Sequence, residues 1–151
     1  MNQRNVTFIE VEQVVKQLHG HCAWRNRAGS GTGSIFTLQF GPALAADEAQ
    51  GEFSLMVYCA WRIVEANNIL CTWHGDSETV LAPALKALEG MQVTKATLSE
   101  LGDLAIYFSA GLSLQIWNDS LVESYASWSF GYKGIGYFAV EVGKEFVFEA
   151  K

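Results

Sequence analysis

Positive charge is scarce in this sequence. Ten lysines and arginines stand against sixteen aspartates and glutamates, a net charge of −6 at pH 7. Nucleic-acid binding ordinarily leaves a basic footprint, and with none here nucleic acid is not an expected partner. Long apolar runs are missing too: none approaches the roughly 20 residues that a membrane-crossing helix needs. Met1–Val15 has neither the apolar core nor the small-residue cleavage site of a secretory leader. The three cysteines, Cys22, Cys59 and Cys71, form no CxxC pair. With no export signal they read as reduced thiols of a cytoplasmic protein, Cys59 and Cys71 serving as small hydrophobes within apolar runs. No cofactor is expected.

What is present is apolar and aromatic. Half of the 151 residues are hydrophobic and 13% are aromatic, which excludes a disordered chain. A chain of this length buries enough surface to hold one domain without a metal or disulfide staple. The acidic balance suits solubility, and it suits a basic protein partner.

Two stretches state the same pattern. "FSLMVY" (Phe53–Tyr58) and "LSLQIW" (Leu112–Trp117) both read apolar, Ser, Leu, any, then Val or Ile, then aromatic. The likeness extends outward. Thr7 and Glu10 have capping-box spacing, and Phe8, Val11, Val14, Val15 and Leu18 recur at helical period up to Gly20. A second helix runs through "PALKALEG" to Gly90, its start falling anywhere from Ser77 to Pro83. Period-two alternation follows each helix. Phe36, Leu38 and Phe40 share one strand face; so do Leu104, Ile106 and Phe108, and Ala110-Gly111 turns the chain into "LSLQIW". "FSLMVYCAWRIV" reads as one long strand, and "ILCTW", "SYASWSF", "GYFAVEV" and "EFVFE" as shorter ones. Leu18 aligns with Leu88, Leu38 with Ile106, Leu55 with Leu114, and Trp61 with Trp128. Insertions fall at "PALAADEAQG" in the first half and "NDSLVES" in the second, where loops tolerate them.

The expected fold is therefore α+β and mainly antiparallel β. Two helix-plus-meander pseudo-repeats, about 7–75 and about 78–150, pack as a single domain with pseudo-twofold symmetry. Neither half has enough of its own to cover its apolar sheet face, so each shelters the other.

Chemistry-bearing motifs are few. "GSGTGS" (Gly29–Ser34) is glycine-rich, but a strand rather than a helix follows it and there is no Walker lysine. A hairpin loop is the plainer reading; the alternative is a small-ligand or anion site made by Arg25, Arg27 and Gly31. His19, His21, Cys22, Cys71 and His74 are zinc-ligand types without finger or ribbon spacing, and no metal site is assigned. There is no GxSxG elbow and no Ser or Cys with an evident base, so the chain is read as non-enzymatic. Trp61 and Trp128 read as core residues. Trp117 lies opposite Leu112, Leu114 and Ile116 in phase and should face outward. With Asp119 and Glu123 beside it, Trp117 forms a candidate partner-binding patch, unless the terminal strand "EFVFE" covers it.

The segment "LEGMQVTKATLSELGDLAIYFSAGLSLQIW", followed by the Trp of "SYASWSF", resembles small bacterial β-rich proteins of uncharacterised role, of the toxin-immunity type. Where those carry a Glu shortly before the Trp, this chain reads "YASW", and no site residue is carried over. The resemblance implies a protein that binds another protein, a basic toxin being one concrete form. Self-association is left open.

Overall fold

The first helix is set by its own sequence. The Thr7 hydroxyl accepts the Glu10 amide at 3.1 Å, which satisfies one of the free donors of the first turn. Val11, Val14 and Val15 then fall on one buried stripe of α1 (Phe8–Lys16). The second helix begins earlier and less regularly. Asp76 caps it through the amides of Glu78 and Thr79, a π-helical turn spans Ser77–Leu81, and α2 covers only Ala82–Lys86.

The computed structural model describes residues 3–29, 33–119, 126–141 and 145–151. Among these, the strands are β1 (Gln3–Val6), β2 (Ala23–Gly29), β3 (Gly33–Ala43), β4 (Gly51–Val57), β5 (Ala60–Glu65), β6 (Asn68–Thr72), β7 (Val93–Leu98), β8 (Leu104–Phe108), β9 (Leu112–Trp117), β10 (Trp128–Tyr132), β11 (Gly136–Glu141) and β12 (Glu145–Ala150). They form a seven-stranded sheet, ordered β1-β12-β11-β10-β4-β3-β2, and a five-stranded sheet, ordered β6-β5-β9-β8-β7. All neighbours within the sheets are antiparallel. The fold is α+β and mainly antiparallel β.

The sheets pack face to face. Phe36 of the larger sheet meets Trp61 of the smaller edge-on at 4.7 Å, and Phe40 stacks on Phe108 at 6.3 Å. Leu38, Leu55, Phe130, Ile63, Ile106 and Leu114 complete a continuous core. Each of these sits in the inward phase of its strand, so period-two alternation sorted inside from outside correctly.

Each sheet draws strands from both halves of the chain. β2, β3 and β4 continue into β10, β11 and β12, while β7, β8 and β9 continue into β5 and β6. The "FSLMVYCAWRIV" run is two strands rather than one long one. The chain leaves the seven-stranded sheet after Val57 and enters the five-stranded one at Ala60. Alternation survives the crossing because Val57, Cys59 and Trp61 are all buried. β1 joins the sheet edge without any alternating pattern of its own; its residues pair with β12 from Gln3↔Glu149 to Val6↔Phe146.

The same bonds occur twice. The Gly20 amide donates to Val93 O at 2.8 Å and the Gly90 amide to Ala23 O at 2.8 Å. Val93 N donates to His21 O, and Ala23 N to Met91 O. Both glycines are left-handed, at φ +89° and +86°, where a side chain would be strained. The Trp61 indole donates to Ser34 O and the Trp128 indole to Gly102 O, each at 2.8 Å. Trp61 pairs with Ile116 across β5–β9, and Trp128 with Val57 across β10–β4.

Both indoles are fully buried, so each should anchor its own sheet. Trp61→Ala and Trp128→Ala should each destabilise the protein by about 3–5 kcal/mol in urea unfolding. Trp→Phe at either site should cost about 1–3 kcal/mol, since Ser34 O or Gly102 O loses its donor. A loss below about 1 kcal/mol for either alanine variant would deny the anchoring role.

Candidate functional site

The inward phase of the seven-stranded sheet fills the core; the outward phase builds a broad concavity. Register places Gln3, Glu149, Tyr137, Gly131, Ser54, Gln39 and Trp24 in one row across seven strands. The next row runs Asn5, Val147, Ala139, Ser129, Met56, Thr37 and Arg27. The middle of both rows is small: Gly131, Ser54, Ser129 and Ala139. Ser54, Ser129 and Ala139 of that dip line a groove of about 750 Å³.

Longer groups wall it. The 44–50 loop turns back on itself through Leu44 N to Gln50 O at 2.8 Å, bringing Asp47, Ala49 and Gln50 to one side. Tyr58, Ala126 and Glu141 stand at the lining elsewhere. Tyr137 lies across Gly131, where an added Cβ would come within 3.4 Å of its ring and 3.2 Å of the Ser54 Cβ. Gln39 is buried and its side-chain oxygen accepts the Gly51 amide at 2.9 Å, which fixes the start of β4 under the loop. Gln3 donates to Glu141 at 2.9 Å.

Charge is unevenly placed along the groove. The acids Asp47, Glu141 and Glu149 line it, with Arg25 as the one cation of the lining among the described residues. Arg25 has φ +47°, a left-handed conformation held by a bulge where β2 slips against β3 between Trp24 and Arg27. Its guanidinium donates to Ala49 O at 2.8 Å, so it ties β2 to the 44–50 loop. Asn26, the other residue at the bulge, turns away and is held by the Glu89 carboxylate.

The residues singled out in sequence land as follows. Arg25 and Arg27 share a face, as alternation expects, and the bulge after Trp24 makes that face the outer one. Gly31 and Glu123 lie outside the described residues. Trp117 faces outward on the five-stranded sheet, on the opposite side of the molecule from the groove. The Arg62 guanidinium sits 5.0 Å over its ring and bonds Gln115 at 2.7 Å. The terminal strand β12 belongs to the other sheet and does not cover Trp117. Asp119 is exposed beside it. His21 packs on Phe53 at 5.3 Å and His74 on Trp73 at 4.2 Å. Among the described residues, no three His, Cys, Asp or Glu side chains gather into a metal-binding group.

Gln3, Ser54, Ser129, Tyr137, Glu141 and Glu149 were not distinguishable as site residues in sequence. Their signal was the small, polar character of the off-phase strand positions, which means little until the strand order is known.

The molecule is thus an α+β sandwich with an open, acid-lined trough on the outer face of the seven-stranded sheet. No protein-family model, no curated protein and no solved structure matches the chain. Among the described residues, no helix is long and apolar enough to cross a membrane.

The thiols differ sharply. Burial, reinforced by the Asp119 carboxylate, pushes the Cys59 thiol up to about 12, and burial also raises Cys71. A raised thiol pKa leaves stability untouched while both states are protonated. It withdraws stability as pH climbs from the unfolded value of 9.0 toward about 12, where only the unfolded thiol ionises. In the folded protein at pH 8, a thiol reagent should therefore label exposed Cys22 quickly and Cys59 and Cys71 only on unfolding. Rapid labelling of all three in the native state would contradict this.

Proposed function

We propose that this protein is a non-enzymatic binding protein, built from a duplicated helix-plus-meander unit, that receives a basic segment of another protein in the groove of its seven-stranded sheet. Neutralising a basic toxin is one concrete form of that role. The groove carries the reading: it is lined by the small residues Ser54, Ser129 and Ala139 together with Glu141, Glu149 and Asp47. Five strand spacings separate β2 from β12, roughly 24 Å in all, enough for about seven extended residues. Hydroxyl and amide side chains along the groove supply donors and acceptors for a peptide. Glu141 and Glu149 supply charge that accelerates encounter with a cationic one.

The twice-made bonds of Gly20 and Gly90, and of Trp61 and Trp128, support the duplication. Three cysteines without a disulfide suit a reducing compartment such as the cytoplasm. The second reading, anion binding by Arg25 and Arg27, is favoured by their common face. Against it, Arg25 already bonds Ala49 O and shares the groove with three carboxylates.

Fluorescence polarisation with labelled heptapeptides separates these. A Lys-Ala alternating peptide should bind and its Glu-Ala counterpart should not. The double variant Glu141→Gln, Glu149→Gln should weaken binding about tenfold, with the melting temperature unchanged, because both groups lie on the open face. A preference for the acidic peptide, or stabilisation by inorganic phosphate that Arg25→Ala abolishes, would overturn the proposal in favour of the anion reading.

A further inference from the structure

Four strands end the two sheets: β1 and β2 in the larger, β6 and β7 in the smaller. An open edge is a template for a further strand, and natural edges are guarded, most often by a charged side chain. Three of the four are guarded in this way. β1 carries Arg4, β2 carries Arg25 and Arg27, and β7 carries Lys95. β6 and the residue after it, "NILCTW", carry no charge at all. It does carry a bulge, where the register with β5 jumps from Ile63↔Cys71 to Val64↔Ile69 and leaves Leu70 over.

The edge is also greasy. Ile69 is 55% exposed, Leu70 41%, Trp73 37% and nearby Val80 39%. The His74 ring packs on Trp73 without covering it. The larger sheet indicates what such an edge takes. The β4–β10 pair matches the β9–β5 pair residue for residue, so the strand beyond β10, which is β11, occupies the place that β6 occupies beyond β5. β11 is covered by an antiparallel strand, β12. Beyond β6, the described residues supply no further strand, and the π-helical turn Ser77–Leu81 packs near it.

We infer that β6 pairs antiparallel with β6 of a second copy of this chain, joining two five-stranded sheets into one. A copy of itself fits better than a foreign strand for two reasons. The edge offers no charge with which to select a distinct partner, while apolar residues about Leu70 are complementary to their own two-fold image. Along β6 itself the pairing sets uncharged residues against uncharged residues in a chain of net charge −6. The bulge shortens the new ladder, so the dimer belongs to the weak class. The groove lies on the other sheet and stays open in the dimer.

Sedimentation equilibrium tests this. At about 100 μM chain, a dimer with a Kd of about 10 μM is mostly assembled, and it should dissociate on dilution. Leu70→Lys and, independently, Ile69→Lys should each give monomer at the same concentration while keeping the melting temperature. Either variant alone suffices if the other fails to fold. Glu141→Gln, Glu149→Gln should leave the dimer intact, which separates this edge from the groove. A wild-type monomer at that concentration, or a dimer indifferent to both lysine variants, overturns the inference.

Discussion

Two ladders in the middle of the sheets, β4 with β10 and β5 with β9, hold the rest of the structure in place. Phe53–Val57 pairs with Trp128–Tyr132, and Ala60–Glu65 with Leu112–Trp117. Removing either ladder divides a sheet between the halves and uncovers an aromatic face that the other sheet was shaped to meet. Phe36 against Trp61 and Phe40 against Phe108 exist only because both ladders are in register. Pairings of this sequence separation pay loop-closure entropy before they return any burial, so folding should be slow for a chain of this size.

The helices fit the same plan. α1 packs on β7 and α2 on β2, each against a strand of the opposite half. The helix ends are then locked by the reciprocal amide bonds of Gly20 with Val93 and Gly90 with Ala23. The groove follows from what this arrangement leaves over. Interleaving gives the larger sheet two extra strands, β12 and β1, and those bring Glu149 and Gln3 to the outer face. The smaller sheet has no counterpart to them among the described residues, and its outer face carries Arg62 and Trp117 instead. The two outer faces therefore differ in charge although the inner ones are alike.

Much of the framework was legible in the residues. The Thr7 cap, the Val11–Val15 stripe, the β8–β9 hairpin and the burial of Trp61 and Trp128 follow from local spacing, where cause and effect lie within a few residues. Other features depended on tertiary context. The crossing at Tyr58-Cys59 was hidden because alternation continues straight through it. β1 was invisible because "QRNV" has one apolar residue and is a strand only by virtue of β12. The bulge at Arg25 needed the register with β3, and the π-helical turn blurred the start of α2. The groove was the least legible part. Arg25 was singled out for its charge beside a glycine loop, whereas its partners Ser54, Ser129, Glu141 and Glu149 became neighbours only through the interleaved strand order. Trp117 was read correctly as outward-facing, but its ring lies under Arg62, a contact made across strands that are distant in sequence.

The interdependence of the two halves is tested most directly by expressing residues 1–76 and 77–151 as separate chains and following circular dichroism during urea unfolding. Each alone should lack a cooperative transition, because each carries strands whose sheet partners belong to the other. Mixing the two should restore the transition and the native tryptophan emission. A sharp, reversible transition in either fragment by itself would contradict the account.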